Sequence, residues 1–245
     1  MPSLLVLGDS LTFHGPERPE LLTHPRLYPN IATRALGPDW RADVQARLGW
    51  TARDAWWAIT KDPYAWSVLV PRADALLLAV GQMDQLPAAV PTYLRDGIPY
   101  IRPGSLRRRV RGVYRSLAPR VIRATGGPFR QLPQTATDAY LSRIVNGVRH
   151  YRPGISVALL GPSPHTGPGF PSQRFHAPAV VAARRWAERE AVALVELDPI
   201  VQPSLDAGGG NPDGLHWAWE VHTAVGEAVA CALRVRSTRD HRTAP

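Results

Sequence analysis

A three-layer α/β/α sandwich around a central parallel sheet is the fold class this 245-residue sequence predicts. Two observations predict it. Short apolar runs stop abruptly at glycine or a polar turn, as buried parallel strands do, and they alternate with longer segments of helical periodicity. Strands separated by helices argue a doubly wound sheet with its helices on both faces.

The elements follow in order. Ser3–Leu7 is an apolar run that ends at Gly8-Asp9-Ser10, and Ala42–Leu48 is a second strand closed by Gly49. Thr51 with Asp54 opens a helix as N-cap and partner three residues on. Ala73–Val80 is the most apolar strand and stops at Gly81. Asp138–Tyr151 has helical spacing, Ile155–Leu160 reads as a strand and Ala177–Ala191 as a helix. Val192–Leu197 is the last strand, and Trp217–Val235 the terminal helix. The reading is one catalytic-size domain over residues 1–236, with a frayed polar tail over 237–245.

One segment interrupts the alternation. About fifty residues separate the third strand from the next helix, far more than an ordinary α/β connection. Within this insertion, about 85–134, Leu106, Val110, Val113, Leu117 and Val121 recur near a 3.6 period with arginines on the other faces. Pro119 is expected to kink or split that helix. A lid and a solvated surface hairpin are both open for it.

Charge is concentrated in the same place. The net charge is +9, yet between Gly97 and Thr137 there are nine arginines and no acid, and the rest of the chain is neutral. That points to an anionic partner for one region. No stretch approaches the length needed to span a bilayer, and the N-terminal apolar run is too short for a signal-peptide core. A basic helix can still rest weakly on an anionic membrane surface. The single cysteine, Cys231, excludes an intrachain disulfide framework and makes a reducing cytosol the expected compartment. The histidines show no metal-ligand spacing, so no metal and no bound cofactor are expected. No nucleotide-binding loop appears, and one basic helix without a recognition module does not support nucleic-acid binding.

The chemistry-bearing residues lie at strand ends, where ligands of open α/β sheets bind. Ser10 follows the first strand, and Asp213 and His216 stand three apart near the C-terminus. Together they meet the needs of nucleophilic acyl transfer. His216 takes the hydroxyl proton of Ser10, and Asp213 holds the imidazole in the productive tautomer.

Gly8-Asp9-Ser10-Leu11 and Asp213-Gly-Leu-His216 resemble the first and last blocks of the SGNH (GDSL-type) hydrolase superfamily. The resemblance implies a flavodoxin-like sandwich and an oxyanion hole made by the N–H of Ser10, the N–H of Gly49 and an Asn side chain. Met83 stands where that Asn belongs, and Gln82 is the expected substitute. Gly49-Trp50-Thr51, Gly81-Gln-Met83-Asp84, Tyr100-Ile-Arg102-Pro103 and Asp213-Gly-Leu-His216-Trp217 are closer to the diglucosylglycerate octanoyltransferase family of mycobacteria, along nearly the whole chain. That implies transfer of an octanoyl group from octanoyl-CoA, as co-substrate, to a glucose hydroxyl of diglucosylglycerate, toward methylglucose lipopolysaccharide. The alternative is an esterase on the same scaffold, with water as acceptor. Asp9, Trp50, Asp84, Arg107, Arg108, Arg109 and Trp217 are the candidates for contact with substrate, the arginines as forks for phosphate or carboxylate. Asp9 is also well placed simply to fix its loop.

Overall fold

Alternate residues of the central strands are buried on opposite faces, and this is what makes the sheet a middle layer. The structure, a computed structural model, describes residues 1–240, the side chains of 235–240 excepted. In chain order the strands are β1 (Ser3–Gly8), β2 (Arg41–Ala46), β3 (Ala75–Ala79), β4 (Pro87–Ala88), β5 (Phe129–Arg130), β6 (Ser156–Leu160) and β7 (Ala193–Val195). The helices are α1 (Tyr28–Leu36), α2 (Ala52–Lys61), α3 (Val70–Arg72), α4 (Thr92–Gly97), α5 (Gly104–Thr125), α6 (Gln134–Tyr151), α7 (His176–Arg189), α8 (Asp198–Asp206) and α9 (Trp219–Asp240).

Five strands form a parallel sheet in the order β2-β1-β3-β6-β7. Leu5, Leu7, Leu76 and Leu78 pack on one side against Ile59 of α2, Ile144 and Val148 of α6 and Trp186 of α7. Leu4, Val6 and Leu77 pack on the other against Ala32 of α1, Val201 of α8 and Val221 and Val225 of α9. Burial on both faces explains why β1 and β3 read as unbroken apolar runs rather than alternating ones. The strand order reverses between β1 and β3, which opens a crevice at their carboxyl ends.

Local chemistry sets the entry to α2. Thr51 Oγ1 accepts the Asp54 N–H, and Asp54 Oδ2 accepts the Thr51 N–H at 2.9 Å, a reciprocal cap. Helices α1 and α8 are additions to the sequence expectation. Each is nine residues long and opens on a proline in its first turn, too short and too interrupted for periodicity to announce it. Helix α1 lies close against α9 at Gly226, where a Cβ would sit 2.7 Å from Ile31 Cβ.

Pro119 does not split the helix of the insertion: α5 runs unbroken through it. The helix is largely solvent-facing there, so water can satisfy the Arg115 carbonyl that proline leaves without its donor. Before and after it, β4 and β5 pair antiparallel as a two-residue clip, Pro87 opposite Arg130. The terminal helix also differs: it begins at Trp219 and extends through Asp240, beyond the expected start of the tail, while 241–245 of that tail lie outside the described residues.

Candidate active site

Strand register brings three loops together. Gly8 of β1 stands opposite Ala46 of β2 on one side and Ala79 of β3 on the other. Ser10, Gly49 and Gln82 each lie two or three residues beyond those positions, on adjacent strands about 5 Å apart. The turn after β1 demands glycine at position 8, because a Cβ there would fall 1.9 Å from Thr12 Oγ1. Asp9 then caps the 3₁₀ turn Ser10–Thr12, its Oδ1 accepting the Leu11 N–H at 3.0 Å. That leaves Ser10 at the head of the turn, with neither its N–H nor its hydroxyl in a hydrogen bond to a described group.

The far end of the chain is laced onto this turn. The His14 N–H donates to Ser10 O at 2.8 Å, and the His14 ring stacks on His216 with centroids 3.8 Å apart. Asn211 Nδ2 donates to Pro16 O at 2.8 Å, and His222 Nε2 donates to His14 O at 3.1 Å. Gly214 is required as well: at φ +67° a Cβ would lie 2.6 Å from the Thr166 and Gly167 backbone. Asp213 Oδ1 accepts the N–H groups of Leu215 and His216, and Oδ2 holds His216 Nδ1 at 2.6 Å.

This geometry fixes the tautomer of His216. Nδ1 carries the hydrogen shared with Asp213, so Nε2 is the lone-pair nitrogen, and it is buried without a hydrogen-bond partner among the described residues. The structure therefore brings Ser10 and the Asp213–His216 pair into one assembly but draws no hydrogen bond between hydroxyl and imidazole. Burial lowers the His216 pKa below the usual histidine value; the pull from Asp213 opposes this and His14 adds to it. Burial pushes Asp213 upward, but the Leu215 and His216 N–H groups and the His216 ring outweigh it and hold it below the carboxylate range.

Ser10 faces a void of about 30 Å³ shared with Gln82, Met83, Leu86, Ser163, His165 and Leu215. That is room for a water or two. Gln82 does not stand in for the missing Asn in this arrangement. Its amide NH₂ is turned away onto the carbonyls of Leu160 and Gly161, at 3.4 and 3.2 Å, and its Oε1 is the end left over. Gly49 does not border the void, but its N–H makes no hydrogen bond to a described group.

Several expected substrate contacts turn out to be internal. Asp84 is fully buried, bridging the Ala52 N–H at the start of α2 to the Thr137 hydroxyl of α6. Asp9 is equally enclosed, and burial pushes both carboxyls up to about 7. Trp217 is 2% exposed, its ring beside Tyr28 and its Nε1 donating to Ser163 Oγ at 3.1 Å. Trp50 packs against the core under Arg47. Arg107, Arg108 and Arg109 sit on α5, and none lines the Ser10 void.

The sequence reading missed His165. It lies in the loop after β6, is 4% exposed, lines the Ser10 void, and neither of its ring nitrogens hydrogen bonds to a described group. Burial, with His176 nearby, lowers its pKa to about 4, so it is neutral. Gln85 and Trp217 pin this loop through Ser163, and Gln85 in turn meets His176, which pairs with Asp198 at 2.6 Å. The signal was available: Gly161-Pro-Ser-Pro-His165 follows the fourth strand of the sheet, where the same convergence rule applies.

Comparison with known proteins places this arrangement. No family model matches the chain. A diglucosylglycerate octanoyltransferase from Mycolicibacterium hassiacum is 43% identical over 95% of this chain and 95% of its own length. One from Mycobacterium tuberculosis is 41% identical over 95% of this chain and 92% of its own. The chain belongs to the diglucosylglycerate octanoyltransferase family. Its fold is the SGNH type. A lipase/acylhydrolase from Enterococcus faecalis superposes with a TM-score of 0.63 at 15% identity, covering 97% of each chain. An aryl esterase of M. smegmatis gives 0.58 at 15% identity, covering 97% of this chain and 99% of its own. This octanoyltransferase-family chain is thus an enzyme on an esterase-type scaffold. Met83 and the buried His165 are features of the chain that carries the octanoyltransferase likeness.

Proposed function

We propose that this enzyme moves an octanoyl group from octanoyl-CoA to a glucose hydroxyl of diglucosylglycerate, through an acyl-enzyme on Ser10. The observation that carries the reading is the His216 imidazole, fixed by Asp213 with its second nitrogen left open and stacked over the turn that presents Ser10. Nε2 accepts the Ser10 proton as Oγ attacks the thioester carbonyl. The carbonyl re-forms as the C–S bond breaks, and the thiolate takes that proton from His216. The sugar hydroxyl then attacks the ester, His216 accepts its proton, and Ser10 recovers it as the acyl group leaves on the sugar.

Charge on the tetrahedral oxygen needs donors. The unspent N–H groups of Ser10 and Gly49 are two. In place of the absent Asn we assign the third to His165, a neutral imidazole with an unused N–H beside the same void. A single oxyanion donor is worth ~10²–10³ in turnover. A void of about 30 Å³ is too small to hold the acyl chain, so its seven-carbon tail extends outward from it. A CoA thioester and a lone cysteine also suit a reducing cytoplasm, and early methylglucose lipopolysaccharide assembly is the pathway this acceptor implies.

Intact mass of the protein mixed with octanoyl-CoA tests the route. One octanoyl increment that maps to Ser10 and disappears when diglucosylglycerate is added supports transfer. Acyl transfer by Ser10→Ala at the native rate would falsify it, and release of free octanoate with acceptor present would assign an esterase instead.

A further inference from the structure

The insertion carries a surface that the acyl-transfer site does not use. Helix α5 buries only Ala118 and Ile122. Its remaining apolar face, with Leu94 and Ile98 opposite, lines an open groove of about 590 Å³, far larger than the void at Ser10. Half of the sixteen exposed large apolar side chains among the described residues fall between Tyr93 and Phe129. Tyr100 is 82% exposed, Tyr93 72%, Val113 49% and Leu117 48%. So concentrated a patch marks an interaction surface rather than ordinary scatter.

The charges say what covers it. Eight arginines between Arg102 and Arg123 surround this apolar stripe, and no acid lies between Gly97 and Thr137. None of the eight forms an ion pair among the described residues; Asp96, just before the stretch, is taken by Arg53. A second copy docking through this face would set arginines against arginines. A nucleic acid would leave the Leu and Val stripe uncovered. An anionic bilayer satisfies both features, since the apolar stripe enters the acyl boundary while arginine stems reach up to the headgroups. The exposed tyrosines suit the same depth.

We infer that the α4–α5 face docks the enzyme reversibly on a membrane surface rich in anionic lipid. The inference stands independently of the acyl-transfer chemistry. Helix α5, 22 residues long, lies along the surface and does not cross it; among the described residues no helix is long and apolar enough to span.

Co-sedimentation of the full chain with phosphatidylcholine vesicles, with and without phosphatidylglycerol, tests it. Binding is expected only with phosphatidylglycerol and should fall steeply as salt is raised. Replacing Arg111, Arg115 and Arg120 together by Gln should weaken it roughly fivefold per charge, and the matching Lys variants should keep it. Leu106→Ser and Leu117→Ser should each cost on the order of tenfold. Thermal melting of every variant verifies its fold. Equal binding to uncharged vesicles, or none to either, overturns the inference. So does a concentration-dependent dimer that Leu117→Ser dissolves.

Discussion

The carboxyl ends of β1 and β3 and the helix of the insertion use the same amphipathic alphabet in opposite ways. At the strand ends polar groups are enclosed. Asp9, Asp84, Gln82, His165 and His216 are each under a tenth exposed, and most have assigned partners. In α5 most apolar groups face outward, and its arginines form no ion pair among the described residues. Enclosed polar groups cost free energy that the fold must offset, so they persist where geometry matters. Exposed apolar groups contribute little to folding, so a regular stripe of them reports an external partner instead.

The contrast is broken most severely at Ser10. Ser10→Ala should lower octanoyl transfer by ~10⁴ or more while the melting temperature holds. Leu77→Ala, in the sheet core, should cost ~2–5 kcal/mol in denaturant titration. Leu117→Ala should stay within about 0.5 kcal/mol, and a core-sized loss there would mean that α5 is packed rather than displayed. Between these lies His165. His165→Leu should lower kcat by ~10²–10³ and His165→Gln, which restores an N–H, by less; a native kcat for the Leu variant removes the assignment.

Two gentler tests use pH. As the proposed base, His216 works only when neutral, and burial holds its pKa below the ordinary 6.5. Activity should therefore persist below pH 6.5 and vanish as pH falls through the depressed pKa; an acid limb above 6.5 contradicts this. Asp84 titrates in the folded state near 7 against an ordinary 3.8, so the folded protein holds the extra proton between those values. Its effect on stability is then to lower it as pH rises from about 4 to about 7, with no further loss above. Asp9 adds a slope of the same sign, so Asp84→Asn should flatten the wild-type slope in part and leave the Asp9 share, measured by urea unfolding across the interval.

Much of this was legible in the residues. The parallel sheet could be read because β1 and β3 are apolar on both faces, and Gly8, Gly49 and Gly81 mark where they and β2 give way to loops. The Asp213–His216 contact followed from spacing, since three residues in a glycine turn let the carboxylate reach back to the ring. Side-chain direction was not legible. Gln82 and Asp84 sit in the expected block yet point inward, because Leu160, Gly161, Ala52 and Thr137 offer partners that only the fold assembles. The loop of His165 could be placed at a strand end from the sequence, but only the packing of β6 beside β3 shows that its ring faces the void at Ser10.

The stacking of His14 on His216 couples residues more than two hundred positions apart. Closing so long a loop comes late in folding and is slow. On the proposed mechanism a nascent chain on the ribosome lacks its base until residue 216 has emerged, and copies terminated before that point would carry the serine turn with no imidazole to serve it.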